Sequence, residues 1–317
     1  MTSGKVVVSG GAGFIGSHLV DKLLNLSHEV TVIDDFSTGK ESNLNIARTY
    51  SGQFDLVEMD ITDARLGEVV SEIAPEYIFH LAAQADVRKS IEDPVHDARV
   101  NLLGSVNLIQ AAKMSGAKRI IYAASGGTLY GEPATELLPL SEENPRCPLS
   151  FYGVSKAGVI DYLVAQAALG GPGFVALALA NVYGPRQDPH GEAGVVSIFA
   201  GRLAREEKCA IYGSGEQTRD FVHVSDVVEA FIASMGSGNN EVINISSGVE
   251  ISVNKLYSTM VNLMNFRLEP VYLEARLGEI SRSCLSNKKA KAVLGWSPEM
   301  DLESGLESVI DWVKDSI

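Results

Sequence analysis

The segment KVVVSGGAGFIGS, residues 5–17, sets an apolar run of strand length directly against a glycine-rich turn and the start of an amphipathic pattern. Val6, Val7 and Val8 are consecutive and β-branched, as in a strand covered on both faces. Phe14, Ile15, Leu19, Val20 and Leu23 then recur with helical spacing. A chain that begins this way is committed to a β-turn-α unit. The glycines read as Gly10-x-x-Gly13-x-x-Gly16, and equally as Gly11-x-Gly13-x-x-Gly16. They permit a tight turn, close main-chain approach of a pyrophosphate, and close packing of helix on strand. The helix start adds N–H groups and the positive end of its dipole to an anion. The next apolar run, EVTVIDD, ends in Asp34, 18 residues beyond Gly16. A carboxylate there accepts hydrogen bonds from an adenosine ribose. Asp34 and Asp35 together repel a 2′-phosphate, which predicts NAD rather than NADP despite Lys40 nearby.

The same kind of run recurs as DLVEMD, YIFHLAA, RIIYAAS and FVALALA, each separated from the next by helix-length sequence. Short Val- and Ile-rich runs with crossover helices predict an α/β fold, a doubly wound parallel sheet of Rossmann type. Beyond residue 181 the regularity gives way to turn-rich stretches (YGPRQDPHGEAG, YGSGEQTRD, SMGSGNN) and shorter helices. The expected organisation is therefore a cofactor domain over residues 1–180 and a smaller α+β substrate domain over 181–317, with interleaved segments. Two helices, Asp97–Lys113 and Val154–Leu169, are apolar around more than one stripe. Either the second domain covers them or they form the helix pair of a homodimer.

Composition narrows the partners. Of the 317 residues 45% are hydrophobic and 21% charged, with a formal charge of −14, which disfavours nucleic acid and an anionic membrane surface. No apolar run is long enough for a membrane span, and no basic leader precedes the first strand. Cys147, Cys209 and Cys284 are widely spaced, which fits reduced thiols in a cytoplasm and predicts no metal site.

In SFYGVSKAG, residues 150–158, Tyr152 and Lys156 lie one helical turn apart. A phenol is too weakly acidic to be a base at neutral pH, and a neighbouring ammonium favours its ionised form. The pair gains meaning from its surroundings: SGGAGFIG (9–16), DDFSTG (34–39), MDITD (59–63), HLAAQADVRKS (80–90), YGVSK (152–156), NVYGPRQ (181–187), RDFVHVSDV (219–227) and LGW (294–296). In this order, nearly end to end, the chain resembles the extended short-chain dehydrogenases/reductases, and among them the nucleotide-sugar 4-epimerases of the UDP-glucose 4-epimerase type.

The resemblance implies a UDP-sugar substrate, an NAD cofactor and a set of roles. Tyr152 would be the base and Lys156 its partner, also bonding the nicotinamide ribose, while Asn101 would organise a proton relay. Gly10, Gly13, Phe14, Ile15, Gly16, Asp34, Asp35, Ser37, Thr38 and Gly39 would hold the adenosine diphosphate half. Asp60 and Ile61 would flank the adenine, and Leu81, Ala82, Ala83 and Gln84 the nicotinamide. Asn181, Val195, Val196, Ser197, Tyr212, Arg219, Arg276 and Glu279 would hold the UDP, and the small Ser283 would leave room for a 2-acetamido group. The family's usual Ser or Thr beside the sugar hydroxyl falls on Gly126 here, so Ser125 or Thr128 would replace it. The Asp-Glu pair of related dehydratases falls on Gly127 and Thr128, which favours epimerisation over elimination or decarboxylation. The reading this implies is interconversion of UDP-glucose and UDP-galactose, with 4-epimerisation of UDP-N-acetylglucosamine or UDP-glucuronate or another NAD-dependent nucleotide-sugar modification as alternatives and a non-catalytic NAD-binding scaffold as the lesser one.

Overall fold

In the computed structural model, which describes residues 3–132, 134–189, 194–266, 268–275 and 280–316, all six apolar runs are strands: β1 Lys5–Ser9, β2 Glu29–Asp34, β3 Phe54–Glu58, β4 Tyr77–His80, β5 Arg119–Ser125 and β6 Gly173–Leu179. Past β6 come β7 Asn181–Tyr183, β8 Ala210–Tyr212, β9 Thr218–His223, β10 Glu241–Ile245, β11 Glu250–Ser252 and β12 Val271–Leu273. Among the described residues the central sheet has seven strands, ordered β10-β6-β5-β4-β1-β2-β3. Every neighbouring pair is parallel. Its seventh strand, β10, is drawn from the second half of the chain.

Parallel pairing requires crossovers, and helices supply them on both faces. The side-chain alternation of β1 divides the core. Val6 and Val8 face α1 (Phe14–Asn25), and Val7 faces the layer containing α2 (Leu66–Ile73). Short helices α3 (Val87–Glu92) and α4 (Pro94–Asp97) follow β4, each capped by an aspartate, Asp86 or Asp93. The chain then winds through a π-helical stretch, Ala98–Gly104, into α5 (Ser105–Ser115). After β5 come α6 (Gly126–Leu129) and α7 (Phe151–Ala168), the latter capped by Ser150 accepting from Gly153 N at 3.1 Å. The expected uniform helix over 97–113 is thus broken: Asp97 closes one helix, and the widened π-turn carries Asn101.

The second half adds α8 (Val195–Ala204), α9 (Val224–Gly236), α10 (Val253–Leu263), α11 (Lys288–Leu294) and α12 (Leu302–Ser316). Phe231 of α9 and Trp296 join the core beside α1, whereas α8, α10 and α12 enclose their own core around Tyr183, Phe199, Leu256 and Leu306. Beside that core stand a three-stranded sheet, β11-β9-β7, and the parallel pair β12-β8. Among the described residues no helix is long and apolar enough to cross a membrane.

The two multi-striped helices are not covered by the second half. Leu103 of the π-turn is 61% exposed, and Val154, Tyr162 and Val164 of α7 are about half exposed. These residues leave an apolar face on the outside of the molecule.

Candidate functional site

From β1 the chain runs outward to β2 and β3, then returns so that β4 pairs on the other side of β1. At such a switch point the loops leaving the two strands diverge, and a crevice opens at their C-terminal ends. A cavity of about 690 Å³ lies there. Its wall contains Gly10 and Gly13 after β1 and Leu81, Ala82, Ala83 and Gln84 after β4.

The lining fits a dinucleotide. A Cβ on Gly16 would stand 2.1 Å from Gly10 O, so only glycine lets the helix start close on the turn. The N-cap of α1 is Gly13, which offers no side-chain acceptor, so the first-turn N–H groups are left for another acceptor. Phe14, Ile15 and Gly16 line the cavity beside them. Asp34 is 6% exposed, accepting from Ala12 N at 2.8 Å and Phe36 N at 2.9 Å. Burial pushes its carboxyl pKa up, and those two N–H bonds oppose the shift. Each oxygen keeps a further lone pair for a ribose hydroxyl. Asp35 accepts from Ser37 N and Ser37 Oγ at 2.9 and 2.6 Å, which shapes the loop carrying Ser37, Thr38 and Gly39 along the wall. Asp60 and Ile61 line the same cavity.

Tyr152, Lys156 and Ser125 line the same cavity. Lys156 is 2% exposed; its Nζ donates to Ala123 O at 3.0 Å and lies 5.0 Å from the Tyr122 ring centroid and 5.8 Å from that of Tyr152. A carbonyl and two aromatic faces compensate the buried ammonium. Beneath it Tyr122 has its hydroxyl pKa pushed well up, first by burial and then by the charges of Tyr152 and Asp97. His80 packs on Tyr122 and is held neutral, burial and then Lys156 lowering its pKa to about 3.

The displaced family serine has a packing cause. A Cβ on Gly126 would be 2.3 Å from Leu285 Cδ1 and 2.9 Å from Ala178 O, so position 126 is closed by the main chain of β6 and by a side chain from the second half. Ser125, one residue earlier, lies in the cavity wall with Tyr152. Thr128 instead turns its hydroxyl onto Ser125 O at 3.3 Å.

Asn101 is buried, and its amide is fully engaged. Its Oδ1 accepts from Gln84 N, while its Nδ2 donates to Gln84 O and Asp97 Oδ1, each at 2.8 Å. Asp97 is completely buried; it also accepts from Gln84 Nε2 at 3.2 Å and Ser155 Oγ at 2.6 Å. This cluster ties the loop after β4 to the turn of α7 that separates Tyr152 from Lys156. Sequence reasoning singled out neither Asp97 nor Ser155, and it read Arg186, Gln187 and Asp188 only as motif or loop letters; those three line the cavity together with Lys40.

The remaining expected substrate residues are dispersed. Tyr212 lines a second cavity of about 420 Å³ together with Gln217, Ser281 and Arg282. Val196 and Ser197 are buried in the first turn of α8, and Ser197 Oγ donates to Gly194 O at 3.0 Å. With Val195 they can offer a ligand mainly the N–H groups of that turn, whose cap, Gly194, supplies no side chain. Asn181 is exposed on β7. Arg219 on β9 donates to Thr218 O at 2.8 Å, and Ser283 N donates to the same carbonyl at 3.3 Å. Neither cavity takes its lining from these residues. Arg276 and Glu279 lie outside the described residues.

Comparison with known proteins gives this arrangement its context. The UDP-glucose 4-epimerase of Mycolicibacterium smegmatis is 42% identical over 311 residues, covering 98% of each chain. The UDP-glucose 4-epimerase of Thermotoga maritima, solved with UDP-glucose, superposes with a TM-score of 0.95 at 42% identity over 98% of this chain and 99% of that one. The UDP-N-acetylglucosamine 4-epimerase of Methanobrevibacter ruminantium, solved with UDP-N-acetylmuramic acid, gives 0.94 at 33% identity over the full length of both. The sequence pattern described as the NAD dependent epimerase/dehydratase family matches residues 6–246, from within β1 to just past β10. Glycine turn, switch-point cavity and Tyr-Lys helix all fall within that match, and the chain belongs to the NAD dependent epimerase/dehydratase family.

Proposed function

We propose that the protein interconverts UDP-glucose and UDP-galactose by inverting the sugar's C4. The carrying observation is that Ser125, Tyr152 and Lys156 share one cavity with the glycine turn and Asp34. The glycine turn and Asp34 would hold NAD, which would supply a hydride acceptor for the sugar's C4 and a donor to return the hydride within the turnover. Tyr152 takes the proton from the 4-hydroxyl and gives it back after the 4-keto sugar has turned over. Lys156 stabilises the negative charge on the Tyr152 oxygen, and Ser125 bonds the reacting sugar oxygen. Asn101 and Asp97 set the angle at which α7 presents Tyr152. Arg219 and Arg276 grip the diphosphate, Glu279 takes a ribose hydroxyl, and Asn181, Tyr212 and the first turn of α8 at Val195–Ser197 receive the rest of the UDP. A firm hold on the diphosphate lets the sugar swing without escaping.

Epimerisation is favoured because it needs no third acid or base. Gly127 and Thr128 stand where eliminating relatives place one. Residues 1–180 chiefly hold the cofactor and 181–317 the nucleotide sugar. The apolar face formed by Leu103, Val154 and Tyr162 supports a homodimer through the Asp97–Lys113 and Val154–Leu169 region, in the cytoplasm. A second substrate pair is favoured by Ser283, whose small side chain leaves room for a 2-acetamido group, as a UDP-N-acetylglucosamine 4-epimerase 33% identical to this chain requires. The test is a panel of UDP-sugars incubated with purified protein and no added dinucleotide. UDP-glucose should yield UDP-galactose, with the N-acetylated pair also turned over. Lack of 4-epimer formation from every UDP-sugar would leave a dinucleotide-binding scaffold.

A further inference from the structure

We propose that Asp188 is a cofactor-specificity residue: it holds the Lys40 ammonium, so that the adenosine end of the cavity offers that cation to no 2′-phosphate. Lys40 springs from the wall that carries Asp34. Its N–H bonds Ala12 O at 3.0 Å, and Ala12 N in turn bonds the Asp34 carboxylate. A Cβ on the preceding Gly39 would be 2.8 Å from Asp34 Oδ1, so this main chain passes directly beside the ribose-binding carboxylate. A lysine here, on its flexible four-carbon stem, is placed to bind a phosphate on the ribose 2′-oxygen. Instead Lys40 Nζ lies 2.9 Å from Asp188 Oδ2, and both residues line the cavity.

Asp188 can act as a fixed counter-charge because its segment is pinned. His18 Nε2 donates to Pro185 O at 2.9 Å. Arg186 Nη2 donates to Asp21 Oδ2 at 2.7 Å, with the two side chains only 16% and 15% exposed. Arg186 is held in the left-handed region, φ +67°, a strained conformation that only surrounding contacts maintain. Thus Arg186, the cation of the segment that carries Asp188, is also committed to a carboxylate from a different element. The Lys40 side chain is 54% exposed, so its pair with Asp188 is partly solvated and modest in strength. Releasing Lys40 should therefore change which dinucleotide binds without unfolding the loop.

The test is competitive exchange. Holoenzyme is equilibrated with a fixed mixture of NAD and NADP until labelled NAD has fully exchanged, then desalted and denatured, and the released dinucleotides are quantified. Asp188→Asn, and separately Asp188→Ser, should raise the bound NADP:NAD ratio about tenfold over wild type, one charge-assisted contact set partly against Asp34 and Asp35. The gain should shrink in high salt. It should vanish in Lys40→Met/Asp188→Asn, which lacks the released cation. An unchanged ratio in both Asp188 variants, or a gain that survives loss of Lys40, would overturn the proposal. Retention of neither dinucleotide by the wild type would overturn the NAD-cavity reading on which it rests.

Discussion

Tyr152 is partly buried at the cavity wall and Lys156 almost wholly buried one turn behind it. That difference supports the proposed division of roles, in which the phenol meets a substrate hydroxyl and the ammonium supports the phenol and a nearby ribose. Tyr152→Phe keeps the ring packed while removing the oxygen that carries the proton, so kcat should fall ~10²-fold or more with the melting temperature unchanged. Near-normal turnover would remove Tyr152 from the chemistry. The neighbouring hydroxyls separate in the same assay. Ser125→Ala should lower kcat by about tenfold, the loss of one hydrogen bond that tightens in the transition state. Thr128→Ala, which loses only a bond to the Ser125 carbonyl, should leave kcat nearly intact. A larger effect at Thr128 than at Ser125 would reverse that assignment.

At the scale of elements, α7 is positioned by a carboxylate that never reaches the cavity. Asp97 accepts from Ser155, Asn101 and Gln84, and so joins the end of α4, the π-turn, the loop after β4 and the catalytic helix. Asp97→Asn puts an amide N–H₂ where one acceptor was needed, leaving at least one buried donor unsatisfied. Stability should drop by about 2 kcal/mol. Turnover should fall at least tenfold while KM for the UDP-sugar changes little, because the proposed UDP contacts lie on other elements. Guanidinium unfolding and steady-state kinetics read the two effects separately; a rise in KM with kcat preserved would contradict the positioning role. Gln84 and Asn101 were named by resemblance, but their wiring to Asp97 and Ser155 was not legible in the sequence, because these residues share no motif spacing and converge only once the β4–β5 crossover packs against α7. The six strands, by contrast, announced themselves through buried β-branched runs, and the glycine turn through spacing that few other structures need. β10 did not, since EVINI sits among turns and finds its place only by pairing with β6. Gly126 was visible as a departure, but the groups that crowd it, the Ala178 carbonyl and the Leu285 side chain, are far away in sequence.

For the whole molecule, closing two cores around the central sheet leaves part-buried and buried histidines that the fold holds neutral. His18, on the face of α1 turned to the second half, has its pKa lowered to about 4, first by burial, against the bond to Pro185 O, with Arg186 and His223 lowering it further. His80, beneath the sheet's switch point, is lowered to about 3 and sits between Ser9 Oγ and Ser105 Oγ at 2.8 Å each. Ser105 Oγ also donates to Asn101 O, so it accepts the hydrogen bond of His80 Nε2–H, and the bare Nδ1 accepts from Ser9 Oγ, a pattern that suits the neutral imidazole. The sign of the pH dependence follows from the lowered values. Below about pH 6.5 the unfolded chain takes up a proton at each histidine while the native state does not, so stability falls as pH falls. Between pH 7 and 5 the two sites together should remove on the order of 3 kcal/mol, a loss that only deepens until the native values near 4 and 3 are reached. Burial raises the carboxyls of Asp21, Asp34 and Asp220, which opposes the loss, but only closer to the carboxylate range. Chemical unfolding at pH 7, 6 and 5 should therefore show a midpoint dropping steadily with acid. His18→Gln, which cannot take up the proton, should show a shallower slope than wild type, the remainder coming from His80 and from His223, whose pKa burial also lowers, and an identical slope in wild type and His18→Gln would mean that His18 is not held neutral by the fold.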